Sequence, residues 1–137
     1  MPFRIESHTA DVALRISGHS FKEFLQEAVG ALHYLQQPTT DEDVVTRAFT
    51  LGPGSAENLL VDLLNETIFL QETECAFFHR CVAEVVGEDG AWVATGVLHG
   101  KSCGESPRAN VVKAATYHGL KVSCTEDGWS AVVVLDT

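Results

Sequence analysis

The chain of 137 residues is long enough to bury a substantial core, and its 45% hydrophobic and 20% charged residues are typical of a soluble globular protein. Nineteen acidic against nine basic residues give a net charge of −10. This balance argues against direct, high-affinity nucleic-acid binding, because phosphate backbones repel a polyanionic surface. No apolar run reaches the roughly 18 residues of a membrane span, and the N-terminus lacks the apolar stretch of a signal peptide. We therefore expect one cytoplasmic domain without membrane association.

The four cysteines of the chain show no Cys-x-x-Cys spacing. Such scattered positions favour small core hydrophobes in a reducing compartment over a zinc site or a disulfide framework. The residues concerned are Cys75, Cys81, Cys103 and Cys124.

The first half of the chain alternates between strand and helix patterns. Ser20 is the expected N-cap of a first helix, because Glu23 completes a capping-box pattern and Pro38 lies beyond the last apolar position. Ser55 is the expected N-cap of a second helix that runs to about residue 72. Period-two alternation predicts strands at residues 3–6, 12–18 and 45–51.

From Cys75 onward the chain is β-rich. The tripeptide Glu-Asp-Gly occurs at 88–90 and again at 126–128, where the Asp-Gly step tolerates positive φ and predicts a hairpin turn. The expected flanking strands span residues 77–86, 91–99, 120–125 and 129–135. The sequence therefore predicts an α+β fold in a single compact domain, with two helices packed on one face of a mainly antiparallel β-sheet.

Two aspartates at opposite ends of the chain adjoin strand-like segments. Asp11 precedes the alternating segment 12–16, and Asp136 follows the apolar run 131–135. A single small sheet would bring these strand ends together, and clustered carboxylates favour a cation. The alternative is that Asp11 ends a turn and Asp136 belongs to a solvated tail, and the residues alone leave both interpretations open.

Two of the six histidines belong to compact polar clusters. His8 lies three residues before Asp11, and His118 ends the segment 113–118, which combines a lysine, hydroxyls and an imidazole. Clusters of this kind are typical of a functional site. The glycine-rich phosphate loops, the nucleophile elbow and the His-Glu-x-x-His pattern of common enzymes are missing from the sequence.

Four stretches of the sequence together resemble the archease family. Their order and approximate spacing match that family along essentially the whole chain. The stretches are 8–12 (HTADV), 59–66 (LLVDLLNE), 113–120 (KAATYHGL) and 134–137 (VLDT). The sequence differs from the family pattern mostly at positions where side-chain packing matters, and the polar positions are unchanged. Ala13 stands where a glycine is common, Leu63 where a tryptophan is common, Ala115 where valine is usual and Thr137 where an aliphatic residue ends the chain.

The resemblance implies a single archease-like domain over residues 1–137 that acts as a protein cofactor and not as an enzyme. Archeases assist the GTP- and manganese-dependent RNA-splicing ligase of tRNA splicing and RNA repair. They promote guanylylation of the ligase and allow it multiple turnovers. The family also binds a divalent cation, with calcium the expected ion and magnesium or manganese left open.

Carried over by motif, the metal ligands are the carboxylates of Asp11 and Asp136 and an oxygen of Thr137. Whether Thr137 would coordinate through its carbonyl or a terminal carboxylate is left open. Lys113 corresponds to the functional lysine near the metal. We expect His8 and His118 to contribute with Lys113 to activation of the partner ligase.

Two other classes of function also fit the residues. In the first, the protein is a metal-dependent phosphohydrolase with Asp11, Asp136 and His118 around a catalytic ion. In the second, it is a chaperone-like scaffold whose motif residues are structural.

Overall fold

The computed structural model describes residues 11–104 and 107–137. The strand predicted at residues 3–6 lies outside these ranges. The described elements are β1 (Val12–Gly18), α1 (Phe21–Gln36), β2 (Val44–Gly54), α2 (Ala56–Glu74), β3 (Ala76–Val86), β4 (Trp92–Ser102), β5 (Ala114–Ala115), β6 (Ser123–Thr125) and β7 (Gly128–Asp136).

The strands form two antiparallel sheets, which we name after their central strands. In the β7 sheet, β7 pairs with β1 on one side and with β5 and β6 on the other. In the β4 sheet, β4 lies between β2 and β3. The predicted class, two helices packed on antiparallel β-structure, is confirmed. The strands divide into two sheets, however, because β7 pairs with β1 while β2, β3 and β4 pair only among themselves within the described residues.

Both predicted N-caps are confirmed. The Ser20 hydroxyl accepts a hydrogen bond from the Glu23 N–H at 3.1 Å, and the Glu23 carboxylate accepts one from the His19 N–H at 3.2 Å. The Ser55 hydroxyl accepts from the Asn58 N–H at 3.1 Å. These bonds satisfy N–H groups that have no partner within the helix.

Both helices end in a left-handed residue that is not glycine. Gln37 ends α1 with φ of 45°, and Cys75 ends α2 with φ of 49°. Each donates its backbone N–H to a carbonyl in the last turn of its helix, which caps that turn. Neither described helix combines the length and apolar character that a membrane span requires.

The two helices join the two sheets into one core. Helix α1 contacts β1 and β7 as well as β3, whereas α2 contacts β5 as well as β2, β3 and β4. Fully buried side chains from both helices and both sheets form a continuous hydrophobic cluster that includes Phe24, Leu64, Phe78, Leu98 and Leu135.

An aromatic cluster packs between the two sheets where β7 begins. Phe21 of α1 lies 4.7 Å from Trp129 of β7 and 4.9 Å from Trp92 of β4, measured between ring centroids. The two tryptophan rings are 5.9 Å apart in an edge-to-face arrangement. Such geometries are favourable for aromatic pairs, so this end of β7 is held by packing.

Candidate functional site

The antiparallel register of β1 and β7 brings the two aspartates together. The last ladder pair joins Val12 to Leu135, so Asp11 and Asp136 are the next residues outward on the two strands. Directly opposed residues of an antiparallel pair have Cβ atoms about 4.5–5.5 Å apart and side chains on the same face. The convergence expected from the sequence therefore follows from the strand register.

The two carboxylates lie on the outer face of the β7 sheet. Along β7, Ala131, Val133 and Leu135 are buried against the helices. Because side chains alternate along a strand, Asp136 belongs to the opposite face, where it is half-buried, and Asp11 beside it is exposed. This pair is open to solvent and to a docking partner.

Lys113 approaches Asp136 through its backbone. Ala114 of β5 pairs with Asp136, and the Lys113 N–H donates to the Asp136 carbonyl at 2.8 Å. The Lys113 side chain is exposed, and it forms no ion pair with Asp11 or Asp136 within the described part of the chain. Lys113 and Thr137 are the next residues outward from the Ala114–Asp136 pair. Thr137 is half-buried at the end of β7.

His118 lies on the turn that follows β5. Its ring is exposed, and its backbone N–H donates to the Thr116 hydroxyl at 3.3 Å. Thr116 is anchored to β7, because its N–H and its hydroxyl both donate to the Val134 carbonyl, at 3.0 and 2.9 Å. Among residues 11–104 and 107–137, the His118 ring forms no hydrogen bond or ion pair with either aspartate. The other predicted histidine, His8, lies outside the described residues.

Asn65 is the positioning residue that the sequence reasoning missed. From the middle of α2, its side-chain amide donates to the Ala115 carbonyl at 3.2 Å and its oxygen accepts from the Ala115 N–H at 2.7 Å. This two-bond clamp holds β5, which has only two residues, against α2. The sequence feature that could have indicated this role is a polar residue within the leucine-rich stretch of the helix.

A second contact fixes the same segment further along. The Tyr117 hydroxyl donates to the Asn58 side-chain oxygen at 3.0 Å. Burial, and secondly the nearby Asp62 carboxylate, raise the pKa of Tyr117, so this phenol stays protonated as a donor. Segment 113–120 is therefore docked on α2 by Asn65 and Asn58, and on β7 by Lys113 and Thr116.

Described residues from each of the four stretches singled out in the sequence meet at this end of β7. Stretch 8–12 contributes Asp11, stretch 134–137 contributes Asp136, and stretch 113–120 pairs with Asp136 through β5. Stretch 59–66 contributes the Asn65 clamp. We call this arrangement the Asp136 corner.

The donor chemistry of the Asp136 corner suits a hard cation. Its side chains offer carboxylate and hydroxyl oxygens, which Ca²⁺, Mg²⁺ and Mn²⁺ accept, and no thiol or imidazole contacts the two aspartates within the described residues. Nowhere in those ranges do three or more His, Cys, Asp or Glu side chains gather as a metal-binding group. An ion held between Asp11 and Asp136 would therefore need further oxygen ligands from elsewhere.

Comparisons of the sequence and of the fold with known proteins all point to one family. The model of the archease protein family matches residues 3–137. An archease of Methanosarcina acetivorans is 33% identical over 133 residues, covering 94% of this chain and 91% of that protein, and an archease of Methanopyrus kandleri is 31% identical over 142 residues, covering 99% of each. The crystal structure of an archease from Thermotoga maritima, described as a possible chaperone, superposes with a TM-score of 0.68 at 26% identity and covers 98% of this chain and 97% of that one. The chain is a member of the archease family.

Proposed function

We propose that this chain is a metal-binding protein cofactor that activates the GTP- and manganese-dependent RNA-splicing ligase, promoting its guanylylation and multiple turnover. The observation that carries the proposal is the meeting of the four archease-like stretches at the Asp136 corner. Separate segments that are hydrogen-bonded together around one pair of carboxylates are more readily explained by a shared task than by packing. Under this proposal the chain works in the cytoplasm beside its ligase.

The charge of the chain supports a protein partner. With a net charge of −10, the surface is suited to a partner whose own surface is basic because it handles RNA. The outward position of Asp11 and Asp136 leaves both carboxylates accessible when such a partner docks. A bound divalent cation would supply positive charge for phosphate oxygens.

The residues of the Asp136 corner would then have distinct roles. Asp11 and Asp136 hold the cation and Thr137 contributes an oxygen, which leaves coordination positions open to the partner. Lys113 presents an exposed ammonium, a point charge suited to a phosphate group. Asn65 keeps β5, and with it Lys113, in register with β7. His118 is accessible to the partner from the turn after β5.

The test is ligase turnover. Ligase from the same source as this chain, sub-stoichiometric to its RNA, is incubated with GTP and Mn²⁺ with and without this protein, and joined product is counted per ligase. We expect about one product per ligase without the protein and many with it. Asp11→Asn, Asp136→Asn and Lys113→Ala are each expected to reduce activation at limiting metal by tenfold or more, roughly 1.4 kcal/mol of lost stabilisation.

Matched variants control for the loss of charge. Asp127→Asn removes one carboxylate at the hairpin that precedes β7, and Lys121→Ala removes one exposed ammonium outside the Asp136 corner. Both are expected to activate the ligase like the unmodified protein. Full activation by Asp11→Asn or Asp136→Asn at limiting metal would refute the metal role, and no activation by the unmodified protein would refute the cofactor role.

A chaperone-like activity is the second candidate, because the T. maritima archease is described as a possible chaperone. It predicts suppression of client aggregation that is insensitive to chelators and to Asp136→Asn. An aggregation assay with both treatments separates this activity from ligase activation.

A further inference from the structure

Two cysteines lie opposite each other just beyond the end of the β3–β4 ladder. The β3–β4 ladder ends with Ala76 opposite Ser102, and Cys75 and Cys103 are the next residues outward. The Cys103 N–H donates to the Cys75 carbonyl at 2.7 Å, so the two backbones remain in contact beyond the ladder.

The β3–β4 register and the backbone hydrogen bond bring Cys75 and Cys103 close to the separation that a disulfide spans. Directly opposed residues of an antiparallel pair have Cα atoms about 4.5–5.5 Å apart. Disulfides span Cα separations of about 4.4–6.8 Å. Cys75 and Cys103 also line the same cavity of about 380 Å³ beside the end of α2.

The two thiols differ in accessibility. Cys75 is exposed, whereas Cys103 is buried with 8% of its surface accessible. Burial, and then the nearby Cys75 and Asp41, raise the pKa of Cys103. Cys75 is therefore the thiol that an external reagent meets first, and Cys103 is placed to react with Cys75 afterwards.

Local backbone preference does not account for a cysteine at position 75. Cys75 adopts a left-handed conformation at the C-terminus of α2, where glycine or asparagine is usual. The Cys75 thiol makes a long contact with the Glu72 carbonyl, at 3.9 Å, and no other hydrogen bond within residues 11–104 and 107–137. The expectation that the cysteines act as core hydrophobes is wrong for Cys75 and Cys124, both of which are exposed.

We propose that Cys75 and Cys103 form a redox-active dithiol that reacts with small-molecule disulfides and closes to an intramolecular disulfide. The Cys75 thiol loses its proton to solvent, and the thiolate attacks one sulfur of the small disulfide. The S–S bond of the reagent breaks, and one of its halves leaves as a thiolate that takes up a proton. Cys75 is then joined to the other half in a mixed disulfide.

The second step closes the protein disulfide. Cys103 loses its proton and attacks the Cys75 sulfur, which breaks the mixed disulfide and releases the second half of the reagent as a thiol. Two electrons have passed from the two cysteines to the reagent, and the small disulfide has been reduced to two thiols. The new bond ties the end of α2 to the segment that follows β4.

The other two cysteines serve as internal controls. Cys81 is buried in β3, and burial raises its pKa to about 12, so it is unreactive while the protein is folded. Cys124 is exposed in β6, opposite Trp129, in the β7 sheet and not in the β4 sheet. Cys124 therefore reports the reactivity of a single accessible thiol in the same protein.

The experiment exposes the full chain to oxidised glutathione and follows free thiols and mass. We expect the Cys75 and Cys103 thiols to be lost together with no glutathione retained on either, and a proteolytic peptide pair linking Cys75 to Cys103, while the exposed Cys124 takes up at most one glutathione. In Cys103→Ser, the reaction should stop at one glutathione on Cys75. Cys75→Gly suits the left-handed backbone and should fold, but it should form no intramolecular disulfide. Cys124→Ser should close the disulfide at an unchanged rate.

Each outcome decides the proposal. A Cys75–Cys103 link formed in the folded protein, and reversed by excess reduced glutathione, supports it. Glutathione on Cys75 without closure, or modification of Cys124 alone, overturns it. Circular dichroism of each variant verifies that the fold is retained, and the ligase assay plays no part in the test.

Discussion

The two ends of β7 differ in what holds them. At its start, Trp129 packs on Phe21 and Trp92 and joins the two sheets to α1. At its finish, Asp136 is flanked by Asp11 and by the Lys113–Ala114 backbone, with both carboxylates on the outer face. One end of β7 is thus packed and stabilises the fold, whereas the other end is polar and faces solvent.

The contrast predicts that the residues of β7 that stabilise the fold differ from those that serve the proposed function. Substitutions near Trp129 should change the free energy of unfolding, whereas substitutions at Asp136 should change ligase activation and metal binding.

The largest effect is expected for Trp129→Ala. Removing the indole takes away its contacts with Phe21 and Trp92 and leaves a cavity between the sheets, which should cost about 3 kcal/mol of unfolding free energy. Urea denaturation followed by far-UV circular dichroism measures the change. Trp129→Phe, which keeps an aromatic ring, should lose less, and equal losses for both variants would contradict the packing role.

A smaller loss is expected for Gly128→Ala at the same end. Gly128 has φ of 114°, and a Cβ there would lie 2.5 Å from the Gly18 carbonyl oxygen. Backbone strain and this clash together should cost on the order of 2 kcal/mol. Gly90→Ala is the matched control, because Gly90 has φ of 84° and an added Cβ meets nothing within 4 Å. An equal loss of unfolding free energy in Gly90→Ala would show that backbone strain alone, without the clash, explains the loss in Gly128→Ala.

Asn65→Ala tests the link between α2 and the Asp136 corner. It removes both hydrogen bonds to Ala115, which should cost about 1–2 kcal/mol and release β5. Amide hydrogen exchange should show loss of protection at Ala115 and Thr116, while protection in α1 is unchanged. Asn58→Ala, which removes only the Tyr117 contact, should leave Ala115 protected; full protection of Ala115 in Asn65→Ala would contradict the clamp.

The smallest change in stability is expected for Asp136→Asn. Without divalent cations, relieving the repulsion between two opposed carboxylates should stabilise the fold by a few tenths of a kcal/mol. Added Ca²⁺ should raise the melting temperature of the unmodified protein and of Asp127→Asn, because an ion that binds the folded state stabilises it. Asp136→Asn should show no such rise, and an equal rise in all three proteins would place the ion elsewhere.

Sequence reasoning succeeded where the determining contacts are local. The caps at Ser20 and Ser55 involve residues three positions apart, and both Glu-Asp-Gly turns contain their own glycine. The pairing of β1 with β7 depends on residues more than one hundred positions apart, and periodicity alone does not specify a partner or a register. For the same reason the division into two sheets was not predictable.

The candidate site shows the same limit. Asp11, Lys113, Asp136, Thr137 and His118 were named from the sequence, but their arrangement depends on β5, which has only two residues and carries almost no periodic signal. The Asn65 clamp joins residues fifty positions apart. The opposition of Cys75 and Cys103 required the β3–β4 register, since neither position carries a recognisable cysteine motif.

The pairing of β1 with β7 also determines when this protein can fold during its synthesis. β1 is made early, but its partner in the described sheet is not complete until residue 136 has been added. The β4 sheet and both helices can associate while the chain is still growing, because their contacts are closer in sequence. The β7 sheet must therefore form last. A nascent chain that stalls before residue 128 would leave the hydrogen-bonding edge of β1 without its partner β7, and an unpaired strand edge favours aggregation.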